Sequence, residues 1–445
     1  MKRKIMLIAG MLALCICAAA QDLYYPPARE AFEQNPLLVC GNYYLVDFDV
    51  PAPTPAPKGF KPFYISTYAR HGARTYNSNS AYELWDKILT LAHNDGKLTP
   101  EGERLYSEFE AILPMAWHRA GDLTPIGHKQ HRRLAEKMYR SYPEIFKNHP
   151  VIDARSTTSH RVMLSMAEFC DELKTLDPTI RIDQFASEAD RYILNPFSST
   201  NPRTVPSDAG AFDGSKAIWR PEYLKLLDDH IDYKAMLGRF FTDISYAYKG
   251  AQKESMEICR WLFNIAVDVP CLTPDHDLMQ FLTKDELFNF WRAENYRFYN
   301  VASRTPVFNG RNWALMECLL RNILDNAESD FESGDIQARL RFGHDFYLIG
   351  LCTLLDLDGW NIEESDPEKV DQVFRHYESP MAANIQFIFY RNKEGEILVR
   401  TELNGREVRY RIAGFSGPYY PWPAFQAFCA VRLELADRIL KQTER

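Results

Sequence analysis

A short segment rich in arginine and histidine has the residue types needed to bind and attack a phosphate group. Arg70 and Arg74 place two permanently charged guanidiniums on either side of the His71 imidazole. The planar fork of a guanidinium matches the oxygens of a tetrahedral phosphate, and Gly72 lets the backbone turn sharply and approach a ligand. The segment follows the strand-like run 63–69. This pattern predicts an anion site at the end of a β-strand, in preference to a solvated basic turn.

Two later segments carry side chains suited to the same chemistry. Arg155 and Arg161 lie six residues apart and precede the apolar periodic run 162–169. We therefore expect a loop that enters a helix, with its amides and dipole facing an incoming anion. Far downstream, His344 and Asp345 precede another apolar segment. A His-Asp pair alone is weak evidence, because Asp is a common residue at a helix N-cap.

In this order, the segments resemble the histidine acid phosphatases, the acid phosphatase and phytase branch of the histidine phosphatase superfamily. That family is marked by an R-H-G-x-R motif, an R-S-T-x-x-x-R-like segment and a late H-D or H-A-E motif. Three stretches match these motifs, at residues 70–74, 155–161 and 344–345. Two weaker matches, at residues 122–131 and 379–387, extend the resemblance over most of the chain.

The resemblance implies a phosphomonoesterase that needs no metal or other cofactor, and the residue types support the same division of roles. His71 would attack as a neutral imidazole and form a phosphohistidine that water then hydrolyses. Asp345 would protonate the leaving alkoxide and then help to activate water. For that role Asp345 has to be partly protonated at the working pH, which predicts an acidic optimum.

The remaining site residues are expected to bind or support the phosphoryl group, whose negative charge they would offset. The predicted phosphate-binding residues are Arg70, Arg74, Arg161 and His344. Arg155 and Gly72 are expected behind them as supporting residues. A family member that binds a phosphorylated ligand without turnover is the less favoured alternative, because a binding protein needs neither His71 nor Asp345.

The sequence leaves the substrate subgroup open. The H-D form of the late motif points away from the inositol polyphosphate phosphatases, whereas the Ser-His-Arg segment at 159–161 is closer to that subgroup's K-H-R. The loop 75–81 contains no cation, and a substrate with many phosphates needs several. We therefore expect a broad monoesterase that cleaves sugar, aryl and inositol phosphates, with a dedicated phytase as the alternative. Lysines of the helical region that could add charge are Lys216, Lys225 and Lys234.

Residues 1–20 have the pattern of a secretory signal peptide. A basic start at residues 2–4 precedes an apolar run that ends in Ala18, Ala19 and Ala20. The apolar run is short for a bilayer span. We therefore expect a periplasmic or secreted protein with no stable membrane insertion after cleavage.

The charge balance disfavours a nucleic acid partner. Removing three N-terminal cations from 52 Lys and Arg leaves 49, against 60 acidic residues. An acidic chain repels a phosphate backbone. Any positive charge that binds a phosphomonoester must therefore be concentrated at one site, as the arginine motifs suggest.

Cysteine and histidine spacing gives little sign of disulfides or metals. Seven of the nine cysteines remain after cleavage, mostly in apolar runs, so buried free thiols are expected. If a disulfide forms, Cys259–Cys271 is the first pair to test. No C-x-x-C spacing indicates a metal site. His128 and His131 are expected on a solvated helix face.

Strand signals near both ends enclose a long helical region. Helical periodicity dominates residues 215–335, and β-type runs lie at 384–390 and 397–403. With the resemblance, this predicts an α/β fold: a mixed sheet flanked by helices, as in the histidine phosphatase core, with a largely helical cap insertion. The expected division is a signal peptide at 1–20, an α/β core at 21–160 and 337–445, and a mainly helical cap at 161–336.

Overall fold

The computed structural model describes residues 28–189, 191–205, 212–249, 253–357 and 359–443. The predicted signal peptide lies outside these ranges. In this part of the chain eight strands form one mixed sheet. The strands are β1 (Lys61–Arg70), β2 (Val151–Ser156), β3 (Arg181–Ala186), β4 (Ala338–Gly343), β5 (Asn384–Arg391), β6 (Ile397–Leu403), β7 (Arg406–Glu407) and β8 (Tyr420–Pro421).

Helices fill most of the remaining described chain. The α-helices are α1 (Ala28–Gln34), α2 (Asn79–Asn94), α3 (Pro100–Ala116), α4 (Pro125–Ser141), α5 (His160–Leu176), α6 (Arg191–Leu194), α7 (Arg220–His230), α8 (Tyr233–Gly238), α9 (Ser245–Tyr248), α10 (Ser255–Leu272), α11 (Lys284–Ala302), α12 (Arg311–Ala314), α13 (Glu317–Ser333), α14 (Asp345–Leu354), α15 (Val370–Val373) and α16 (Trp422–Thr443). Short 3₁₀ helices are Pro36–Tyr43, Met279–Phe281, Pro306–Phe308, Pro367–Lys369 and His376–Glu378.

The sheet order brings the predicted motifs to one edge. The strands follow the order β3-β2-β4-β1-β5-β6-β7, and β8 pairs with β6. Strands β3, β2, β4 and β1 are parallel, whereas β5 runs antiparallel to β1. In the register, Arg70 faces Gly343 and Ser156 faces Phe342. The carboxyl ends of β1, β2 and β4 therefore meet, and each is followed directly by one motif.

Apolar side chains cover both faces of the sheet. Along β1, Ile65 and Ala69 belong to one buried cluster, together with Leu134 of α4. Tyr64 and Tyr68 belong to the other cluster, which includes most of the helices between β3 and β4. This alternation follows from the two-residue period of a strand. Because both faces of its carboxyl-terminal part are buried, the carboxyl end of β1 is held rigidly in place.

The helical insertion begins later than the sequence predicted. The boundary at residue 161 is too early, because α5 packs against the sheet and β3 pairs with β2 as a further parallel strand. The helices of the insertion, which we define as residues 191–333, follow β3. The six-residue β3 is mostly exposed at the sheet edge, so its sequence carries little of the apolar signal of a core strand. None of the described helices is long and apolar enough to span a membrane.

The cysteines in the described residues are all free thiols. The pair Cys259–Cys271 is excluded as a disulfide, because both residues lie in α10. Twelve residues of helix separate their Cα atoms by about 18 Å. A disulfide requires a Cα separation below about 7 Å.

Candidate active site

Five of the predicted site residues come together at the sheet edge. Arg70 ends β1 and His71 follows it, while His344 and Asp345 follow β4 and begin α14. Arg74 lies three residues after His71, and its guanidinium acts electrostatically on the His71 ring. The rings of His71 and His344 are 5.5 Å apart between centroids. A sixth residue, from the first turn of α5, completes the cluster and is described below with the arginines.

The His71 imidazole is held as a neutral ring with one nitrogen directed at a ligand. Its Nδ1 lies 2.9 Å from the carbonyl oxygen of Gly72. With the proton on Nδ1, that nitrogen donates to the carbonyl and Nε2 keeps a free lone pair. Burial holds the pKa of His71 well below its usual range, and Arg70 and Arg161 depress it further. These effects favour the neutral form of the ring, which is the nucleophilic form.

Arg70 is fixed by backbone carbonyls from two distant segments. Its Nη1 donates to the carbonyl of Asn42 and, at 2.8 Å, to that of Ser379. Its Nη2 lies 2.8 Å from Oδ2 of Asp345. The side chain is fully buried, so these contacts set the direction of its remaining N–H group.

Arg74 is fixed from the N-terminal segment. Its Nη1 and Nη2 donate to the Tyr43 hydroxyl, at 3.3 and 3.2 Å, and its guanidinium lies 4.9 Å over the centre of the Tyr43 ring. Nη1 also donates to the carbonyl of Thr75 at 2.8 Å. Tyr43 therefore orients Arg74 through its hydroxyl and through a cation–π contact.

The three arginines of the cluster each carry a buried N–H without a partner. Nε of Arg70, Arg74 and Arg161 makes no hydrogen bond to any described residue. Burial and the charge of Arg74, opposed by the charge of Asp345, lower the pKa of Arg161 to about 10. Buried donors in native proteins are almost always paired. Guanidiniums gathered around a neutral imidazole fit the oxygens of a tetrahedral anion.

His344 and Asp345 occupy the first positions of α14. The His344 backbone N–H donates to the Tyr68 hydroxyl at 3.0 Å. Burial lowers the pKa of the His344 ring to about 3, and the charge of Arg161 acts in the same direction. His344 is thus a neutral ring that can donate one hydrogen bond to a phosphoryl oxygen.

Asp345 is ionised in this structure, which differs from the sequence expectation. Its Oδ2 accepts from Nδ2 of Asn42 at 3.0 Å and lies beside Arg70. Burial raises the pKa of Asp345, but the Arg70 charge and the Asn42 hydrogen bond outweigh burial and lower it to about 2. The free protein therefore does not keep Asp345 partly protonated at mildly acidic pH. Protonation requires a change in the charge around it.

Gly72 supports the site by close packing rather than by approaching a ligand. A β-carbon on Gly72 would lie 2.5 Å from the carbonyl oxygen of Gly127, at the start of α4. A β-carbon on Gly127 would lie 2.2 Å from the carbonyl oxygen of Ala73. The Gly72 N–H also donates to Oγ of Ser165 at 3.1 Å. The two glycines let α4 pack directly on the nucleophile segment.

Arg155 lies away from the cluster. It is in β2 rather than in a loop, and its Nε donates to Asp153 at 2.9 Å. Its guanidinium also lies 5.2 Å from the centre of the Phe185 ring on the edge strand β3. Arg155 therefore connects β2 to β3, and the structure does not place it behind the phosphate-binding residues as the sequence predicted.

The histidines of α4 also differ from the sequence expectation. His131 is fully buried rather than solvated, and it packs 5.7 Å from the Phe342 ring between centroids. Burial lowers the pKa of His131 to about 3. His128 is half exposed and pairs with Glu168 at 2.8 Å. The surrounding charged residues of α4 had suggested a solvated face, but the helix turns His131 towards the sheet.

Sequence reasoning missed four residues that hold the cluster. Asn42, Tyr43 and Ser379 contact the arginines or Asp345 from segments without a recognisable motif. Asp268 is different, because a lone carboxylate inside the apolar run of α10 is a detectable signal. Its side chain is fully buried.

Asp268 links α10 to the loop that follows the nucleophile segment. Its Oδ2 accepts from the Tyr76 backbone N–H at 2.6 Å and from the Tyr82 hydroxyl at 3.3 Å. Oδ1 is buried without a hydrogen-bond partner among the described residues. Burial raises the pKa of Asp268 to about 7, against the opposing charge of Arg74. The group is thus half protonated near neutrality.

Fold and site together define an α/β protein in which three arginines are arranged around a neutral, buried histidine. Residues 66–209 match the model of the histidine phosphatase superfamily, branch 2. No curated protein sequence matches the chain. The family match over these residues agrees with the resemblance that the sequence motifs indicate.

Solved structures share the fold at low sequence identity. The multiple inositol polyphosphate phosphatase of Bifidobacterium longum, in complex with phosphate, is 18% identical with a TM-score of 0.71, covering 88% of this chain and 98% of that one. The phytase from D. castellii is 16% identical with a TM-score of 0.65, covering 93% and 89%. The Hafnia alvei phytase is 13% identical with a TM-score of 0.53, covering 86% and 99%.

Proposed function

We propose that this protein is a phosphomonoesterase that works through a phosphohistidine on His71. The observation that carries the proposal is the group of three guanidiniums, each with a buried and unpaired Nε–H, around a neutral imidazole whose Nε2 is free. Three guanidiniums against the single carboxylate of Asp345 leave an excess of positive charge that suits an anion, and a nucleophile at the centre suits transfer of a phosphoryl group.

In the first step, Nε2 of His71 attacks phosphorus while the bond from phosphorus to the ester oxygen breaks. Arg70, Arg74, Arg161 and His344 hold the remaining phosphoryl oxygens. Asp345 gives a proton to the departing oxygen, so the leaving group departs as an alcohol. In the second step, water attacks phosphorus, the bond to Nε2 breaks and the proton from water returns to Asp345. Phosphate and the neutral imidazole remain.

The bound phosphate supplies the change in charge that Asp345 needs. A phosphate neutralises Arg70, the strongest influence holding the pKa of Asp345 down, and places negative charge close to the carboxylate. Both effects raise the pKa of a neighbouring carboxyl group. The general acid is therefore prepared by substrate binding, and low pH favours the protonated complex. We expect an acidic optimum on this basis.

The proposed substrates are phosphomonoesters in general, including inositol phosphates. Support comes from the relatives, which include an inositol polyphosphate phosphatase solved with phosphate and with inositol hexasulfate and phytases from two other organisms. A dedicated phytase is the second candidate. The three lysines predicted to reach the site, Lys216, Lys225 and Lys234, are exposed on the insertion.

The test is hydrolysis of p-nitrophenyl phosphate, followed by a panel of sugar phosphates and phytate. Labelled substrate quenched under non-acidic conditions should leave an acid-labile phosphoenzyme. EDTA should leave the activity unchanged and vanadate should inhibit it, because the arginines supply the charge. A protein that binds phosphate without turnover contradicts the proposal, as does EDTA inactivation that zinc or magnesium reverses.

We also propose that the protein is exported and cleaved after residue 20. The basic, apolar and small-residue pattern of residues 1–20 supports this. Terminal sequencing of the protein secreted by its host would identify the cleavage site, and an intact start in a cytoplasmic fraction contradicts export.

A further inference from the structure

Asn42 contacts both partners of the ion pair between Arg70 and Asp345. Its backbone carbonyl accepts from Nη1 of Arg70, and its side-chain Nδ2 donates to Oδ2 of Asp345 at 3.0 Å. Asn42 is buried, where a hydrogen bond is stronger than in water. One residue of the N-terminal segment therefore links a phosphate-binding arginine to the carboxyl group that protonates the leaving oxygen in the proposed reaction.

The hydrogen bond from Asn42 is the only one that the Asp345 carboxylate receives from a side chain of the described residues. Nη2 of Arg70 lies 2.8 Å from Oδ2, but its N–H groups are not aligned for a hydrogen bond. Charge attraction depends on distance, whereas a hydrogen bond also depends on direction. Asn42 thus sets the rotation of the carboxylate about its Cβ–Cγ bond.

The two oxygens of the Asp345 carboxylate have different surroundings. Oδ2 accepts from Asn42 and lies beside Arg70, whereas Oδ1 accepts from the backbone N–H of Phe346 at 2.9 Å. A carboxylate oxygen has two lone-pair positions. No other described residue bonds Oδ1, so one of its positions is open to a proton. A proton on Oδ2 would instead lie against the Arg70 guanidinium, whose positive charge disfavours it.

The backbone before Asn42 is fixed by close packing. Gly41 has a φ of 57° and a ψ of −126°, a conformation that residues with a side chain rarely adopt. A β-carbon on Gly41 would lie 1.9 Å from Nε2 of His376. The His376 ring donates from Nδ1 to Asn295 at 3.0 Å and stacks on Phe298. Asn42 therefore stands on a rigid support, as a residue that orients a reacting group requires.

Several titratable groups act on Asp345 besides Asn42. They are Arg70 and Tyr68 of β1, Arg74 after β1, Arg161 of α5, His344 and Tyr347 of α14, and His376 of the 3₁₀ helix His376–Glu378. Burial lowers the pKa of both histidines to about 3 and raises the pKa of both tyrosines, so these four side chains are neutral. A bound phosphate offsets the charge of the arginines. The hydrogen bond from Asn42 is then the influence on the carboxylate that the phosphate does not offset.

We propose that Asn42 is a positioning residue for general acid catalysis, which holds Oδ2 of Asp345 beside Arg70 and leaves Oδ1 to protonate the departing oxygen. In that step the O–H bond at Oδ1 breaks and its electron pair stays on the carboxylate. The proton bonds to the ester oxygen as the bond from phosphorus to that oxygen breaks. This inference rests on the proposed phosphatase function and adds a residue that none of the sequence motifs contains.

The experiment measures kcat and KM across pH for glucose 6-phosphate and p-nitrophenyl phosphate. Asn42→Leu keeps the approximate volume and the backbone carbonyl but removes the donor. We expect kcat to fall by about tenfold to a hundredfold on glucose 6-phosphate and by less than about threefold on p-nitrophenyl phosphate, which hardly needs the proton. KM should change little, because the phosphate-binding arginines remain. The alkaline limb of the glucose 6-phosphate profile should move to higher pH, because the lost hydrogen bond stabilised the carboxylate.

Asn42→Asp is the second variant, because it keeps the size of the side chain and replaces the donor with a negative charge. Its alkaline limb should move further than that of Asn42→Leu, since a like charge raises the pKa of a neighbouring carboxyl group. Asn35→Leu is the matched control: Asn35 caps the same 3₁₀ helix and donates to the Tyr44 hydroxyl. Its pH profile and substrate ratio should equal those of the wild type. Equal losses on both substrates with an unmoved pH profile in the Asn42 variants overturn the proposal.

A binding experiment keeps this inference distinct from the proposed function. If the wild type hydrolyses neither ester, the proposed phosphatase function fails. Calorimetric binding of inorganic phosphate across pH, to wild type and Asn42→Leu, then tests the Asn42 contact alone. Protonation of Asp345 removes a negative charge beside the anion and should strengthen binding. The midpoint of this change should lie at higher pH in Asn42→Leu, with the titration of phosphate itself cancelling in the comparison, and an identical midpoint contradicts the inference.

Discussion

The phosphate cluster and the polar face of α10, which consists of Arg260, Asn264 and Asp268 at intervals of one turn, are built in different ways. The cluster stands on the ends of parallel strands, where register alone brings Arg70 and Gly343 side by side. The polar face depends on the period of one helix, inserted far along the chain and pressed against the loop at Tyr76. Chemistry that tolerates little displacement is thus placed on the rigid sheet.

The largest effect is expected at the centre of the cluster. His71→Ala should lower turnover by at least about 10⁴-fold, because no neighbouring group can form the covalent intermediate at that position. Phosphate release from p-nitrophenyl phosphate measures the loss, and the phosphoenzyme should disappear. His128→Ala is the matched control, since His128 pairs with Glu168 outside the cluster. Residual turnover within about a hundredfold of the wild type would contradict the nucleophile assignment.

Asp345→Asn should lower the activity on substrates with poor leaving groups more than on substrates with good leaving groups. We expect about a 10³-fold loss on glucose 6-phosphate, whose alkoxide needs a proton, and less than about tenfold on p-nitrophenyl phosphate. The asparagine keeps the size of the side chain between Asn42 and Arg70. Asp229→Asn, an exposed position on α7, is the control. Equal losses on the two substrates would argue against general acid catalysis.

The same contrast explains what could be predicted from the sequence. Arg70, His71, Arg74, His344 and Asp345 were found because each motif is contiguous and directly follows a strand or opens a helix. Strands β5 and β6 were found for a similar local reason, their β-type apolar runs.

Contacts made across long sequence separations could not be read in this way. The carbonyls of Asn42 and Ser379 that hold Arg70 carry no side-chain signature. The need for Gly72 becomes visible only once α4 is packed against it. The ionised state of Asp345 depends on the balance between burial and a neighbouring charge, which a motif does not encode.

The smallest expected effect is on stability and concerns Asp268, which belongs to the polar face but contacts the loop of the cluster. Its folded pKa of about 7 lies above the unfolded value of 3.8. The folded protein therefore binds the proton more tightly, and the stability gained from protonation is lost as pH rises from about 4 to about 7. At 1.36 kcal/mol per pKa unit this loss is at most about 4 kcal/mol.

Asp268→Asn does not titrate and can still accept from the Tyr76 N–H and the Tyr82 hydroxyl. Relative to the wild type, it should therefore be more stable at pH 8 than at pH 4, by a few degrees in melting temperature for a chain of this size. Thermal unfolding of both proteins across that pH range measures the difference, and other titrating groups cancel in the comparison. A difference that does not change with pH would mean that Asp268 stays ionised throughout, paired with Arg74. The polar face would then be part of the charge balance of the cluster.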